Sequence, residues 1–238
     1  PSWIYFYMSS KQYHHGDLKA SLIEAANTIL LRDGADALSL RAIAAEVGVS
    51  HMAPYAHFKN KKELIKSIAE AGFVKMAETM EAVAVAMKEK DDLSPGELVL
   101  AYGASYLEFA TANPQLYRLM LGQVETTGRK NKKDFLVENS TVETNTAEDS
   151  AVEVNNSDSI NSPFMESSKK PFILLREAFA LRGDSDERVK AQALGAWSMV
   201  HGMAALIIEG HIQVPEGTSF KRFLAAATPL SDHFSASL

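Results

Sequence analysis

No cysteine occurs among the 238 residues, so disulfides and thiolate metal sites are excluded and the fold must rest on packing alone. That absence suits a reducing cytoplasm, which is the expected location. Strand signals are nearly as scarce, while apolar residues recur at spacings of three and four along the chain, so the expected fold is all-α. No uncharged apolar run reaches about 18 residues, so no membrane span and no membrane partner are expected. The first seven residues, Pro1 to Tyr7, are apolar and aromatic but lack a charged leader and a small-residue cleavage site. They argue against a secretory signal and read as an upstream extension before Met8. Positive charge is also in deficit, with 24 Lys and Arg against 30 Asp and Glu and a net charge of −6.

That deficit looks wrong for a partner of a polyanion until it is divided along the chain. Residues 1–70 hold eight Lys or Arg against seven Asp or Glu, and residues 71–238 hold sixteen against twenty-three. Within 39–66, Arg41, Lys59, Lys61, Lys62 and Lys66 face only Glu46 and Glu63. A local basic face suffices on an acidic molecule, because charges farther off than a Debye length of roughly 10 Å are screened.

The 46% apolar content is enough to bury a core. Leu18, Leu22, Ala25, Ile29 and Leu30 stripe a first helix, with Asp17 as its expected N-cap and Gly34 as its stop. Leu40, Ile43, Ala44 and Val47 stripe a short second helix capped by Ser39. Gly48 supplies a left-handed turn, and Ser50 caps a third helix whose inward residues are expected to be Met52 or Ala53, then Tyr55 and Phe58. The spacing of Asn60-Lys61-Lys62-Glu63 is that of a capping box opening a long fourth helix to about Lys88. Ser94-Pro95-Gly96-Glu97 is a second start signal, with Glu97 reaching back to the cap. Asn113-Pro114 ends that helix and opens a short one through Met120.

Residues 125–168 are dominated by Thr, Ser, Asn and Glu, and are expected to be a disordered insertion. Lengthening a surface loop costs only about 0.6 kcal/mol per doubling, so a folded domain tolerates it. Helical pattern resumes over Pro171–Leu181, Ser185–Gly210 and Ser219 to about Phe234. The expected organisation is a flexible arm at 1–16, a three-helix helix-turn-helix domain at 17–64, and a helical regulatory and dimerisation domain at 65–238 joined to it by the long helix.

Two short helices joined by a Gly-containing turn, after a longer supporting helix, form the geometry that sets a recognition helix in a major groove. Spacing alone favours an ordinary helical hairpin. What separates them is chemistry: Ser39 and Ser50 at helix starts, then Tyr55, His57 and Lys61. Helix starts present unpaired N–H groups and a positive dipole end, which suits phosphate. Pro54 lies at the fourth helical position if Ser50 is the cap, where it removes a first intrahelical bond and predicts a distorted start.

Ser39-Leu40-Arg41-Ala42-Ile43-Ala44-Ala45-Glu46-Val47-Gly48-Val49-Ser50, followed by Tyr55-Ala56-His57-Phe58 and Lys61-Lys62-Glu63-Leu64, resembles the tetracycline-repressor (TetR) family of regulators. The resemblance implies an N-terminal DNA-binding domain and a homodimer on a palindromic operator in double-stranded DNA. It implies that Ser39, Tyr55, His57 and Lys61 contact phosphate, and that Arg41, His51 and Met52 face the groove. His14-His15-Gly16-Asp17 is similar to the lead-in of one branch, where the arm touches backbone. His51, Met52 and Ala53 carry few strong base-edge donors, so readout is expected to rest on Arg41 and thymine methyls, with DNA shape and dimer spacing supplying the rest.

In the regulatory half, Ala191, Gly195, Ser198, Gly202 and Ala205 form a small-residue stripe that admits a close helix, either within the subunit or from a second copy. Trp197-Ser198-Met199-Val200-His201-Gly202 resembles the tryptophan-histidine-glycine C-terminal domain of a TetR subfamily, and Tyr117-Arg118-Leu119-Met120 fits the same branch. This favours the second copy. His201, placed on a face with Leu194, Trp197, Ala204 and Ile208, is either a satisfied core histidine or a polar handle in a cavity. Tyr102, Tyr106, Phe109, Met120, Phe172 and Phe179, with Trp197, are either core or the lining of an effector pocket. The functional expectation is a small apolar effector that releases a repressor from DNA. No cofactor or metal is expected.

An enzyme is the chief rival. Its seven histidines lack metal-site spacing: His14 and His15 are adjacent, His201 and His211 lie ten apart, and no His-x3-His or HExxH occurs. A Gly-rich phosphate loop and a GxSxG elbow are missing too. The second rival is a helical interaction module without DNA binding.

Overall fold

The computed structural model describes residues 18–89, 94–128 and 163–227. The expected arm, the Asp17 cap and most of the 125–168 insertion lie outside the described residues, which divide into two compact units at Leu64/Ile65. Every regular element among them is helical.

In the first unit, α1 (Leu18–Asp33) ends where Gly34 takes φ 83° and its N–H returns to Leu30. A 3-10 turn, Ala35–Ala37, leads to Ser39, whose Oγ accepts the Ala42 N–H at 3.1 Å and opens α2 (Leu40–Val47). Gly48 closes α2 in the left-handed region, φ 80° and ψ 29°. Leu22, Ala26, Leu30, Leu38, Ile43, Phe58 and Leu64 are fully buried and form this unit's core. Arg32 on α1 reaches Glu46 on α2 at 3.2 Å, an exposed ion pair that fixes orientation more than stability.

The third helix differs from expectation. In place of an α-helix from Ser50, the chain makes a turn and then a 3-10 segment, Ala53–Ala56. Tyr55 N–H bonds Met52 and His57 N–H bonds Pro54, both three residues back. Pro54 has no N–H for a fourth-residue bond, and its ring is buried instead. Three residues per turn eclipse i and i+3, so Met52 and Tyr55 turn outward together, 59% and 51% exposed, while Pro54 and Phe58 point in. The expected inward Tyr55 is therefore corrected to an outward one.

α3 (Lys61–Glu89) begins at Asn60, whose Oδ1 accepts the Glu63 N–H at 3.0 Å. Glu63 reaches back one residue beyond the expected box and accepts the Lys59 N–H at 2.7 Å. Residues of α3 from Ile65 onward belong to the second unit, with α4 (Pro95–Ala112), α5 (Pro114–Gly128), α6 (Pro163–Ala180), α7 (Asp186–Ile208) and α8 (Phe220–Ala227). Ser94 caps α4 by accepting the Glu97 N–H. The Glu97 carboxylate does not serve the cap as expected but pairs with Lys221 of α8, because a tertiary cation competes for it.

α5 runs past Met120 to Gly128 and α6 starts at Pro163, so both ends of the expected disordered segment are helical. Polar composition misled there: Pro163 is a good first helical residue and Phe164 behind it is fully buried, 6.0 Å from the Phe73 ring of α3. Within this unit α4 packs against α6, α7 and α8, and α6 against α7. α5 approaches α3 at Gly72, where a Cβ would stand 2.6 Å from Met120 Sδ and 3.3 Å from Leu116.

Candidate functional site

The first candidate surface lies in the N-terminal unit. Arg41 on α2, Ser50 and His51 in the turn, Met52 and Tyr55 beside the 3-10 segment, and Lys61 at the start of α3 are exposed, and Ser39 and His57 are half-buried. Ser39 Oγ is occupied as an acceptor by the α2 cap, which leaves its hydroxyl proton free to be donated outward. Ser50 behaves similarly, accepting the Met52 N–H at 3.3 Å. The surface carries cations, hydroxyls and two imidazoles.

The second candidate is the aromatic core of the C-terminal unit. Tyr106 of α4 lies 5.4 Å from Trp197 and 5.0 Å from His201, both on α7. Phe172 of α6 stacks edge-on to Trp197 at 5.6 Å. Four of the expected pocket residues, Tyr106, Phe172, Trp197 and His201, therefore meet. Met120 faces Gly72 of α3 instead, and Tyr102 lies within the influence of Glu177 and Glu81; its burial, with those charges, raises its phenol above the usual range. Phe109 and Phe179 are buried core residues.

Sequence reasoning missed Tyr117 as a member of this group. Its hydroxyl lies 3.0 Å from that of Tyr106, which lies 2.9 Å from His201 Nε2, and His201 Nδ1 lies 2.9 Å from the Trp197 carbonyl. A carbonyl only accepts, so Nδ1 carries a proton and donates. In neutral His201, Nε2 then accepts from Tyr106, and Tyr106 accepts from Tyr117. Burial pushes the His201 imidazolium below its usual range, partly opposed by the bond to Trp197, and burial pushes both tyrosines up. Leu194, about two turns before His201 on the same side of α7, is 50% exposed.

The third feature is the small-residue stripe on α7. Ala191, Gly195, Ser198, Gly202 and Ala205 are all exposed, and a Cβ built at Gly195 or Gly202 meets nothing within 4 Å. No described residue packs closely on this stripe, which Leu194 and Leu206 border with exposed apolar surface. α7 is also the one described helix long and apolar enough to cross a membrane by length and composition, although most of it is unburied here. No group of three or more His, Asp or Glu gathers among the described residues.

Residues 22–68 match the family described as bacterial regulatory proteins, tetR family, and residues 99–227 match the tetracyclin repressor-like C-terminal domain. The chain belongs to the TetR family. The two matches enclose the exposed motif from Ser39 to Lys61, and the aromatic core with the α7 stripe, respectively. Nucleoid occlusion factor SlmA of Edwardsiella ictaluri (strain 93-146) is 30% identical over 116 residues, covering 48% of this chain and 56% of that protein. The match thus spans little more than half the length of that relative. A solved protein of unknown function from Rhodococcus sp. RHA1 is similar at 25% identity and TM-score 0.62, over 92% of this chain and 95% of that one. The TetR family transcriptional regulator PfmR from Thermus thermophilus shares the fold at 15% identity and TM-score 0.50, over 87% of this chain and 93% of its own.

Proposed function

We propose that this TetR-family chain is a cytoplasmic, homodimeric, sequence-specific DNA-binding transcriptional regulator, a repressor that leaves a palindromic operator when a small-molecule effector binds its C-terminal unit. It has no catalytic role. Residues 17–64 read DNA, and residues 65–238 dimerise and bind effector. Trp197, His201 and Gly202 support its membership of the subfamily with a tryptophan-histidine-glycine C-terminal domain. The observation that carries this reading is the outward display of Arg41, His51, Met52, Tyr55 and Lys61 on a capped helix-turn-helix surface. Ser39, Tyr55, His57 and Lys61 hold phosphate, and Arg41 with His51 and Met52 faces base edges. Selection from a random duplex pool is expected to return a two-fold symmetric site with half-sites about one helical turn apart. Failure to enrich any sequence sinks the reading.

Ser39 serves two roles that substitution separates. Ser39→Ala loses the cap and is expected to cost about 1 kcal/mol of stability in denaturant unfolding. Ser39→Asp keeps an acceptor for the Ala42 N–H and hence most of that stability, yet sets a carboxylate against phosphate. Retained stability with operator affinity lowered at least tenfold is the expected pattern; unchanged affinity removes Ser39 from the interface.

A further inference from the structure

The Tyr117, Tyr106 and His201 chain joins three helices through two buried tyrosines and a half-buried histidine, and its direction has a single solution while His201 is neutral. Tyr106 is the only hydrogen-bond partner given to Tyr117 among the described residues, at 3.0 Å. If Nε2 of His201 gains a proton it becomes a donor, and the Tyr106 proton, left without its acceptor, turns to the Tyr117 oxygen, the other acceptor within reach among the described residues. The Tyr117 hydroxyl proton then has no acceptor, and Tyr117 is only 2% exposed.

The same turn of α5 carries the contacts to α3. Leu116 and Met120 flank Tyr117 and close over Gly72, so the turn is held on one side by α4 and α7 and bears on α3 with the other. α3 is the helix whose first residue is Lys61. Arg118, next to Tyr117, adds an ion pair to Glu209 beyond the end of α7 at 2.7 Å.

We propose that this chain is a proton-sensitive latch on α5: it is complete only with neutral His201, and protonation reverses it, strands the Tyr117 hydroxyl and loosens the α5 turn that rests on Gly72 of α3. The titratable and charged groups on the elements around His201 are Tyr102 and Tyr106 on α4, Tyr117 and Arg118 on α5, and Arg176 and Glu177 on α6, with Glu209 on its own side. Glu97 and Glu108 on α4 and Glu166 on α6 stand on the same elements, and no carboxylate among the described residues is paired with His201, whose downward shift comes from burial, partly opposed by the bond to the Trp197 carbonyl. The direction of the effect follows. A histidine whose folded value lies below 6.5 contributes no penalty above that pH, and the latch weakens as pH falls from 6.5 towards the folded midpoint.

The test uses the full chain and needs no DNA, so it stands apart from the proposed function. Trp3→Phe leaves Trp197 as the sole indole, its ring centroid 4.2 Å from His201, where an imidazolium quenches it. Trp197 fluorescence is expected to titrate with a midpoint below 6.5. Tyr117→Phe leaves the stranded proton on Tyr106, so it should leave that midpoint nearly in place while uncoupling α5 from it. Amide exchange, corrected for its intrinsic pH dependence, should accelerate through the same midpoint in peptides covering 114–120 and Gly72. Acceleration in 114–120 that survives Tyr117→Phe overturns the latch, as does acceleration confined to α7. His201→Gln supplies the check that the fluorescence change belongs to His201.

Discussion

Under the proposed homodimer built on α7, Leu194→Glu and Gly202→Glu are each expected to yield a 26.0 kDa monomer in sedimentation at micromolar concentration. Both positions are exposed on α7, and no atom stands within 4 Å of a Cβ at Gly202, so neither change disturbs the core of one subunit. The circular dichroism spectrum should stay that of a folded helical chain. In a two-fold interface built on α7 every substitution occurs twice. Each uncompensated buried carboxylate costs about 3–5 kcal/mol, enough to weaken association by more than roughly a thousandfold. Operator affinity should fall with it, because two linked half-sites gain on the order of 10² to 10⁴ over one. A variant that stays dimeric moves the interface off the α7 stripe.

What the sequence disclosed was mostly local. Ser39, Gly48, Asn60 and Ser94 act as expected because a cap or a left-handed turn is decided within four residues. The TetR motif was legible for the same reason, since its caps and turn lie in one unbroken stretch. Legibility failed where a distant group competed or the backbone period changed. Glu97 left its cap for Lys221, and the 3-10 segment turned Tyr55 outward and Pro54 inward. The latch joins residues 95 positions apart, a distance at which helical periodicity carries no information. Periodicity placed Leu194, Trp197 and His201 on one side of α7, but spacing does not tell how far along the helix that side is covered, and Leu194 is exposed. Composition was the weakest guide: the polar residues after Pro163 are helical because Phe164 and Pro171 anchor them inward.

Lys61→Ala is expected to weaken binding to every DNA sequence alike, by roughly tenfold or more, and Arg41→Ala to weaken it while also relaxing sequence preference. The difference follows from what each side chain faces under the proposed function. Lys61 is exposed at the first residue of α3, where the N-terminal end of a 29-residue helix adds its own partial positive charge to the ammonium. A phosphate held there is held for its charge, and charge is common to all sequences. Each such contact releases condensed counterions, so a dimer lacking both copies should show a slope of log affinity against log salt flatter by about 2. Arg41, on the exposed side of α2, has a planar fork suited to the O6 and N7 acceptors of guanine, and its loss should cost about 1–3 kcal/mol at one base pair per half-site and little elsewhere. Lys88→Ala, in the last turn of the same α3, removes an equal charge from the other end of the helix and serves as the control. If Lys61→Ala and Lys88→Ala behave alike, net charge drives the binding and the helix-turn-helix face does not. If Lys61→Ala flattens the salt slope while Arg41→Ala broadens the sites recovered by selection, phosphate grip and base reading reside on α3 and α2, with the 3-10 segment holding Tyr55 and Met52 between them.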